Sequence, residues 1–233
     1  MGDAGNRLRV LVKEGTPMKY AIKKIALAVG ICGAVSVTAH AQNLITNPAF
    51  SAGNTGFTSA YTFVTSNFAV QEYGVVTNPQ AWNGNLASFG DHTTGTGSML
   101  IANGATTANL DVWRQIGLAV TPATDYVFSG YVAAAFGSSA PVMEFFAGAT
   151  SLGAVTPSLT TGTWSFFTGT WNSGANTSVT LRIVDNNLDF NGNDVVIDDL
   201  SFAVAVPEAN TAALLALVGI PALGFLRRRH AGK

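Results

Sequence analysis

Five aspartates, Asp185, Asp189, Asp194, Asp198 and Asp199, fall within fifteen residues and are interleaved with Asn186, Asn187, Asn191 and Asn193. Carboxylate and amide oxygens on a turn that leads into an extended segment are the donors calcium prefers, since it takes six to eight hard oxygen ligands. The spacing is not that of an EF-hand loop, and the ion it implies is structural rather than catalytic. The competing reading is an Asn/Asp-rich turn whose side chains bond to nearby backbone and to water. Successive strand residues face opposite sides, so Asp198 is expected to share a face with Leu200 and Phe202. On a core face its carboxylate would need a cation or several donors.

A second candidate constellation is aromatic. Binding a sugar requires ring faces that stack on a pyranose, beside amides and carboxylates that read its hydroxyls. Trp82 stands in the loop Asn78-Pro79-Gln80-Ala81-Trp82-Asn83-Gly84-Asn85, and Tyr61 and Tyr73 are placed to flank it. A binding role requires that these rings be exposed and grouped, and replacing Trp82 with Ala would then leave stability nearly unchanged. Trp113, Trp164 and Trp171 fall on apparent strands and read as packing residues.

Catalysis finds less to work with. Between residues 42 and 205 there is one histidine, His92, and no cysteine, so a zinc site built from His and Cys is excluded. No Gly-x-Ser-x-Gly elbow occurs. Asp91-His92 in a Gly/Thr-rich stretch reads as a turn. Glu72 and Glu144 are the only glutamates of this region, and a glycosidase would need two carboxylates at a set separation. The expectation is a non-enzymatic protein with no catalytic residues.

These side chains sit in a β grammar. Tyr126, Phe128 and Val132 alternate against Asp125, Ser129 and Tyr131, and Val179, Leu181 and Ile183 alternate against Thr180 and Arg182. Further strands are predicted over Asn43–Phe50, Ser98–Asn103, Val112–Val120, Val142–Ala147, around Trp164–Gly169 and over Val195–Ala203. Gly, Asn, Thr and Pro clusters separate them, and no helical periodicity stands out between 42 and 205. Many strands with turn punctuation predict an all-β jelly-roll sandwich.

Charge divides the chain into three parts. The overall net charge is −1, yet residues 42–206 hold only Arg114 and Arg182 against ten carboxylates, a net of −8 without a single lysine. Such a surface repels phosphate backbones, which excludes nucleic acid as a partner. Upstream, Lys19, Lys23 and Lys24 precede the apolar run Ile25–Val37 and the Ala39-His40-Ala41 site. Residues 18–41 therefore read as a secretory signal peptide, and residues 1–17 as a non-native upstream extension. The lone cysteine, Cys32, lies inside that signal and follows Ile31 rather than a small residue, which sets lipidation aside. Downstream, a sixteen-residue apolar segment over 211–226 spans about 24 Å as a helix and is closed by Arg227, Arg228 and Arg229. The arginines place that end in the cytoplasm and everything before it outside.

Val206-Pro207-Glu208, the apolar segment and the arginine cluster together resemble the PEP-CTERM sorting signal, with Ala209 standing where the family has its second proline. The resemblance implies recognition by an exosortase-type processing enzyme, a transient or retained membrane anchor, and delivery from the inner membrane to the cell surface or beyond. Within the domain, Asn43-Leu44-Ile45-Thr46-Asn47-Pro48-Ala49-Phe50 and Val195-Val196-Ile197-Asp198-Asp199-Leu200-Ser201-Phe202 are similar to the opening and closing strands of galactose-binding-like carbohydrate-binding modules. Val112-Trp113-Arg114-Gln115 is similar to their middle. That resemblance implies a structural calcium held by the closing-strand aspartate and an acidic residue after the opening Phe, a position that is Ser51 here. Two functions follow as expectations: a structural or adhesive protein working with extracellular polysaccharide, or a calcium-stabilised module with a specific glycan ligand.

Overall fold

A computed structural model describes residues 41–206. The predicted signal peptide, the apolar segment 211–226, Pro207, Glu208 and the three arginines lie outside the described residues. Among the described residues no helix is long and apolar enough to cross a membrane.

The strands are β1 (Thr62–Phe63), β2 (Glu72–Val76), β3 (Met99–Asn103), β4 (Asp111–Ala119), β5 (Asp125–Ala134), β6 (Met143–Ala147), β7 (Thr150–Val155), β8 (Ser165–Asn172), β9 (Ser178–Asp185) and β10 (Val195–Val204). One four-residue helix, α1 (Pro79–Trp82), interrupts them. Six strands form one sheet in the order β1-β2-β3-β10-β5-β8, and four form the other in the order β4-β9-β6-β7. From β3 onward the chain passes repeatedly from sheet to sheet, which gives the predicted all-β sandwich.

Alternation builds the core. On β5, Tyr126, Phe128 and Val132 point between the sheets; on β9, Val179, Leu181 and Ile183 do the same. Aromatic rings fill the gap, with Phe145 stacked on Phe167 at 3.9 Å and Tyr126 stacked on Phe202 at 5.0 Å. Trp113 and Trp171 belong to this core as well. Both arginines serve Asp111: Arg182 Nε lies 2.7 Å from its carboxylate and Arg114 3.8 Å. All strand pairings of the described residues fall within residues 42–206.

A second, smaller core lies on the opposite face of the six-stranded sheet. Trp82 and Leu86, from α1 and the turn after it, pack on Met99, Ile101, Ala133 and Val196. Asn78 starts this helix by accepting from the Gln80 N–H at 3.0 Å, with Pro79 at the first helical position. Gly74 of β2 makes room for the indole, because a Cβ there would sit 2.6 Å from Trp82 Nε1.

Two expectations are corrected, and three strands went unanticipated. Residues 43–50 are not a strand: Asn47 and Phe50 have φ of 54° and 53°. The Asn47 side chain bonds Gly53 O, Thr55 O and the Ala52 N–H, so the chain curls around that amide. Strands β1, β2 and β7 were not anticipated; β7 is an exposed edge of mostly small residues. Finally, Asp198 does not share a face with Leu200 and Phe202. Between Asp198, opposite Tyr131, and Ser201, opposite Ser129, β10 carries one residue more than β5. This bulge, with Asp199 at φ 48°, turns Asp198 away from the core face that Ile197, Leu200 and Phe202 share.

Candidate functional site

A cleft of about 630 Å³ opens beside α1, between the β1–β2 connection, the end of β3 and the β9–β10 connection. Its floor is a network of amides around Asn67, which is 5% exposed. Asn67 Oδ1 accepts from Asn83 Nδ2 at 2.8 Å and from Asn103 Nδ2 at 3.0 Å. Its Nδ2 donates to Ala69 O at 2.7 Å and to Glu72 Oε2 at 2.8 Å. The same Glu72 oxygen accepts the N–H groups of Phe68 and Ala69. One carboxylate oxygen thereby fixes the whole 67–69 turn from the start of β2. Ring faces stand at the rim: Phe68 is 91% exposed and Phe190 67%. Both line the cleft, together with Phe136 and Asp194.

Neither ring position was anticipated, although each is a phenylalanine embedded in a polar turn, Ser66-Asn67-Phe68 and Asp189-Phe190-Asn191. A phenylalanine in such a turn has no strand neighbour to pack on, and that is the signal that could have found it. The predicted trio is placed differently. Trp82 is 2% exposed and donates its indole N–H to Val64 O at 3.1 Å. Tyr61 and Tyr73 are each 6% exposed and belong to the inner core, on the other side of the sheet from Trp82. The Tyr61 hydroxyl accepts from the Ala105 N–H and the Tyr73 hydroxyl donates to Asn54. Three rings divided between two cores form no stacking platform, so Trp82, Tyr61 and Tyr73 do not present the exposed group expected of them. The loop around Trp82 does bound the cleft, and Trp82 itself forms part of its lining.

The five aspartates do not converge as one group: Asp185 and Asp194 are neighbours, while the others turn elsewhere. Among the described residues no three His, Cys, Asp or Glu side chains converge on one point. Asp189 is exposed and accepts from Ser139 Oγ at 2.6 Å. Asp185 ends β9, and Asp194 immediately precedes β10. Burial pushes Asp185 up to about 7, against the N–H bonds it accepts from Asn187 and Val142 and with the help of the Asp194 charge. Burial likewise pushes Asp194 up to about 6.

Asp198 and Asp199 turn to the 91–97 loop instead. Asp198 accepts the His92 N–H at 3.0 Å and the Asp199 N–H at 2.8 Å, and Asp199 Oδ2 lies 2.8 Å from His92 Nδ1. Thr93 Oγ1 bonds to the same Asp199 oxygen. Burial pushes Asp198 up to about 6, the two N–H bonds opposing it and the Asp199 and Asp91 charges adding to it. The His92 ring lies flat on Tyr131 at 3.5 Å, with Phe166 next to Tyr131 at 4.9 Å. Asp91 accepts the Thr94 and Gly97 N–H groups and the Thr94 hydroxyl. This arrangement clamps a loop. Ser51, at the position where the resemblance implies an acidic ligand, is exposed, and Asp198 is committed to these loop donors.

No family model matches the chain, and no curated protein matches it. Solved structures do. A CBM22 xylan-binding domain from Paenibacillus barcinonensis is 15% identical, over 72% of this chain and 97% of that one, with a TM-score of 0.48. A cyclase from Fischerella sp. TAU is 15% identical, over 71% of this chain and 97% of that one, with a TM-score of 0.49. The C-terminal domain of the sugar-binding protein EclA is 17% identical, over 40% of this chain and 66% of that one, with a TM-score of 0.37. At this level of similarity they do not identify a ligand for this chain.

Proposed function

We propose that the domain is a non-enzymatic carbohydrate-binding module that takes a short stretch of uncharged glycan in the cleft beside α1. The observation that carries this reading is the pairing of the exposed Phe68 and Phe190 rings with a floor of Asn67, Asn83 and Asn103 amides. Phenyl faces complement the C–H face of a pyranose, and amide and carboxylate atoms complement its hydroxyls. A volume of about 630 Å³ lies in the range of small-ligand clefts. The surrounding charge of two arginines against ten carboxylates disfavours polyanionic glycans.

Export supplies the setting. A signal peptide over 18–41 and a PEP-CTERM-like tail over 206–233 would deliver the domain to the cell surface or to an extracellular polysaccharide, with an exosortase-type enzyme as processing partner. The sequence motifs alone support this part.

The test is affinity electrophoresis of residues 42–206 through gels containing neutral polysaccharides. The double substitution of Phe68 and Phe190 by Ala removes two stacking partners worth about 0.5–1.5 kcal/mol each. Affinity should weaken roughly 5- to 140-fold on the summed range of about 1–3 kcal/mol, with an unchanged melting temperature because both rings are exposed. Retardation that survives the double substitution places the glycan elsewhere.

A further inference from the structure

Three side-chain oxygens at the end of β9 and on the β9–β10 connection are buried without a donor: Asp185 Oδ2, Asn193 Oδ1 and Asp194 Oδ1. Asn193 is fully buried, Asp185 is 3% exposed and Asp194 6%. The ion pairs among the described residues engage Asp111 and Asp199, and none reaches these two carboxylates. An ionised carboxylate buried without a counter-charge is strongly disfavoured. Two of them at the ends of one short connection call for something that supplies positive charge.

Neighbouring groups fix where these oxygens are. Asp185 Oδ1 accepts the Val142 and Asn187 N–H groups, each at 2.9 Å, which leaves Oδ2 as the free atom. Asn193 Nδ2 donates to Asn187 O at 2.9 Å, a bond only the amide nitrogen can make, so the amide oxygen is the end left over. Gly104 gives that amide its space, since a Cβ there would lie 1.9 Å from Asn193 Nδ2. The link from Asp185 through Asn187 to Asn193 ties the two ends of the connection together.

We infer that Asp185, Asn193 and Asp194 hold a divalent cation of the calcium type. Two carboxylates balance its charge, and the amide adds a third hard oxygen. An Asn-rich connection supplies carbonyls and admits water for the rest of a six- to eight-oxygen shell, whereas magnesium demands a tighter octahedron. The donor set drops Asp189, Asp198 and Asp199 from the five aspartates prominent in the sequence and adds Asn193. Bound there, the cation pins the connection that carries Phe190. It does not depend on the glycan reading, because it is measured without sugar.

The experiment uses the full chain in mild detergent, stripped with chelator and titrated with calcium or with magnesium. Melting temperature is read alongside terbium luminescence sensitised through Trp82, which lines the same cleft as Asp194. Calcium should raise the melting temperature, by about 5–10 °C at a hundredfold excess over Kd and further with the logarithm of its concentration. It should also displace terbium, and magnesium should do neither at equal concentration. Asp185→Asn and Asp194→Asn should each weaken calcium binding at least tenfold while raising the calcium-free melting temperature, because each removes a buried charge. Asp189→Asn should bind as the unaltered chain does. Calcium without effect on either signal of the folded, unaltered chain overturns the assignment. So does a calcium response that survives Asp185→Asn or Asp194→Asn. If either variant fails to fold, the calcium-against-magnesium contrast on the unaltered chain decides.

Discussion

Replacing Trp82 with Ala should unfold much of what the cleft is built on. The indole is 2% exposed, packs with Leu86, Met99 and Ile101, and donates to Val64 O at 3.1 Å. Truncating a buried tryptophan costs about 3–5 kcal/mol, the lost hydrogen bond contributing about 1 of that. The void has little means of closing. Its base is Gly74, which β2 holds in register between β1 and β3. In a domain of this size each kcal/mol lowers the melting temperature by about 2–4 °C, so the fall should be about 6–20 °C. Urea unfolding of residues 42–206 gives the same quantity as a shift of midpoint at constant m. A loss below about 1 kcal/mol would refute the reasoning, since it would mean the ring is a surface group after all. A binding role for Trp82 would have implied that smaller effect, and burial reverses it.

Other consequences follow from the same geometry. Asp198 has its pKa raised from 3.8 to about 6 by burial, so the folded state holds its proton more tightly than the unfolded state. Its contribution is therefore fully present below pH 3.8 and is lost as pH rises through about 6, a change of about 3 kcal/mol. Urea midpoints from pH 4 to 7 should fall more steeply for the unaltered domain than for Asp198→Asn, and parallel profiles would contradict this. Gly104→Ala drives a Cβ to 1.9 Å from Asn193 Nδ2. It should cost about 1–3 kcal/mol by overpacking, read as a drop in urea midpoint, and an unchanged midpoint would show that Asn193 yields freely.

The sandwich was legible because its central strands carry clean alternation. Tyr126, Phe128 and Val132 on β5, and Val179, Leu181 and Ile183 on β9, face the core as their spacing requires. What failed was whatever local side-chain bonding or neighbours decide. The Asn47 amide curls the opening segment, and the bulge at Asp199 reverses the face of Asp198. The loop Asn78–Asn85 borders the cleft, yet its tryptophan points to a core that a one-dimensional pattern does not show: the outer face of a sheet covered by its own connection. Phe68 and Phe190 went unnoticed because no period contains them. The split of the aspartates was equally hidden, since the bulge and the 91–97 loop that claim Asp198 and Asp199 are set by residues about a hundred positions away.

Glycan occupancy of the cleft is tested most directly by isotope-labelled residues 42–206 titrated with neutral oligosaccharides and followed by amide resonance shifts. The side-chain NH₂ signals of Asn67, Asn83 and Asn103 should move first, together with the backbone amides of Phe68 and Gly192. Shifts confined to the outer sheet face around Tyr131 and Phe166, or no shifts in the folded domain, would contradict the account.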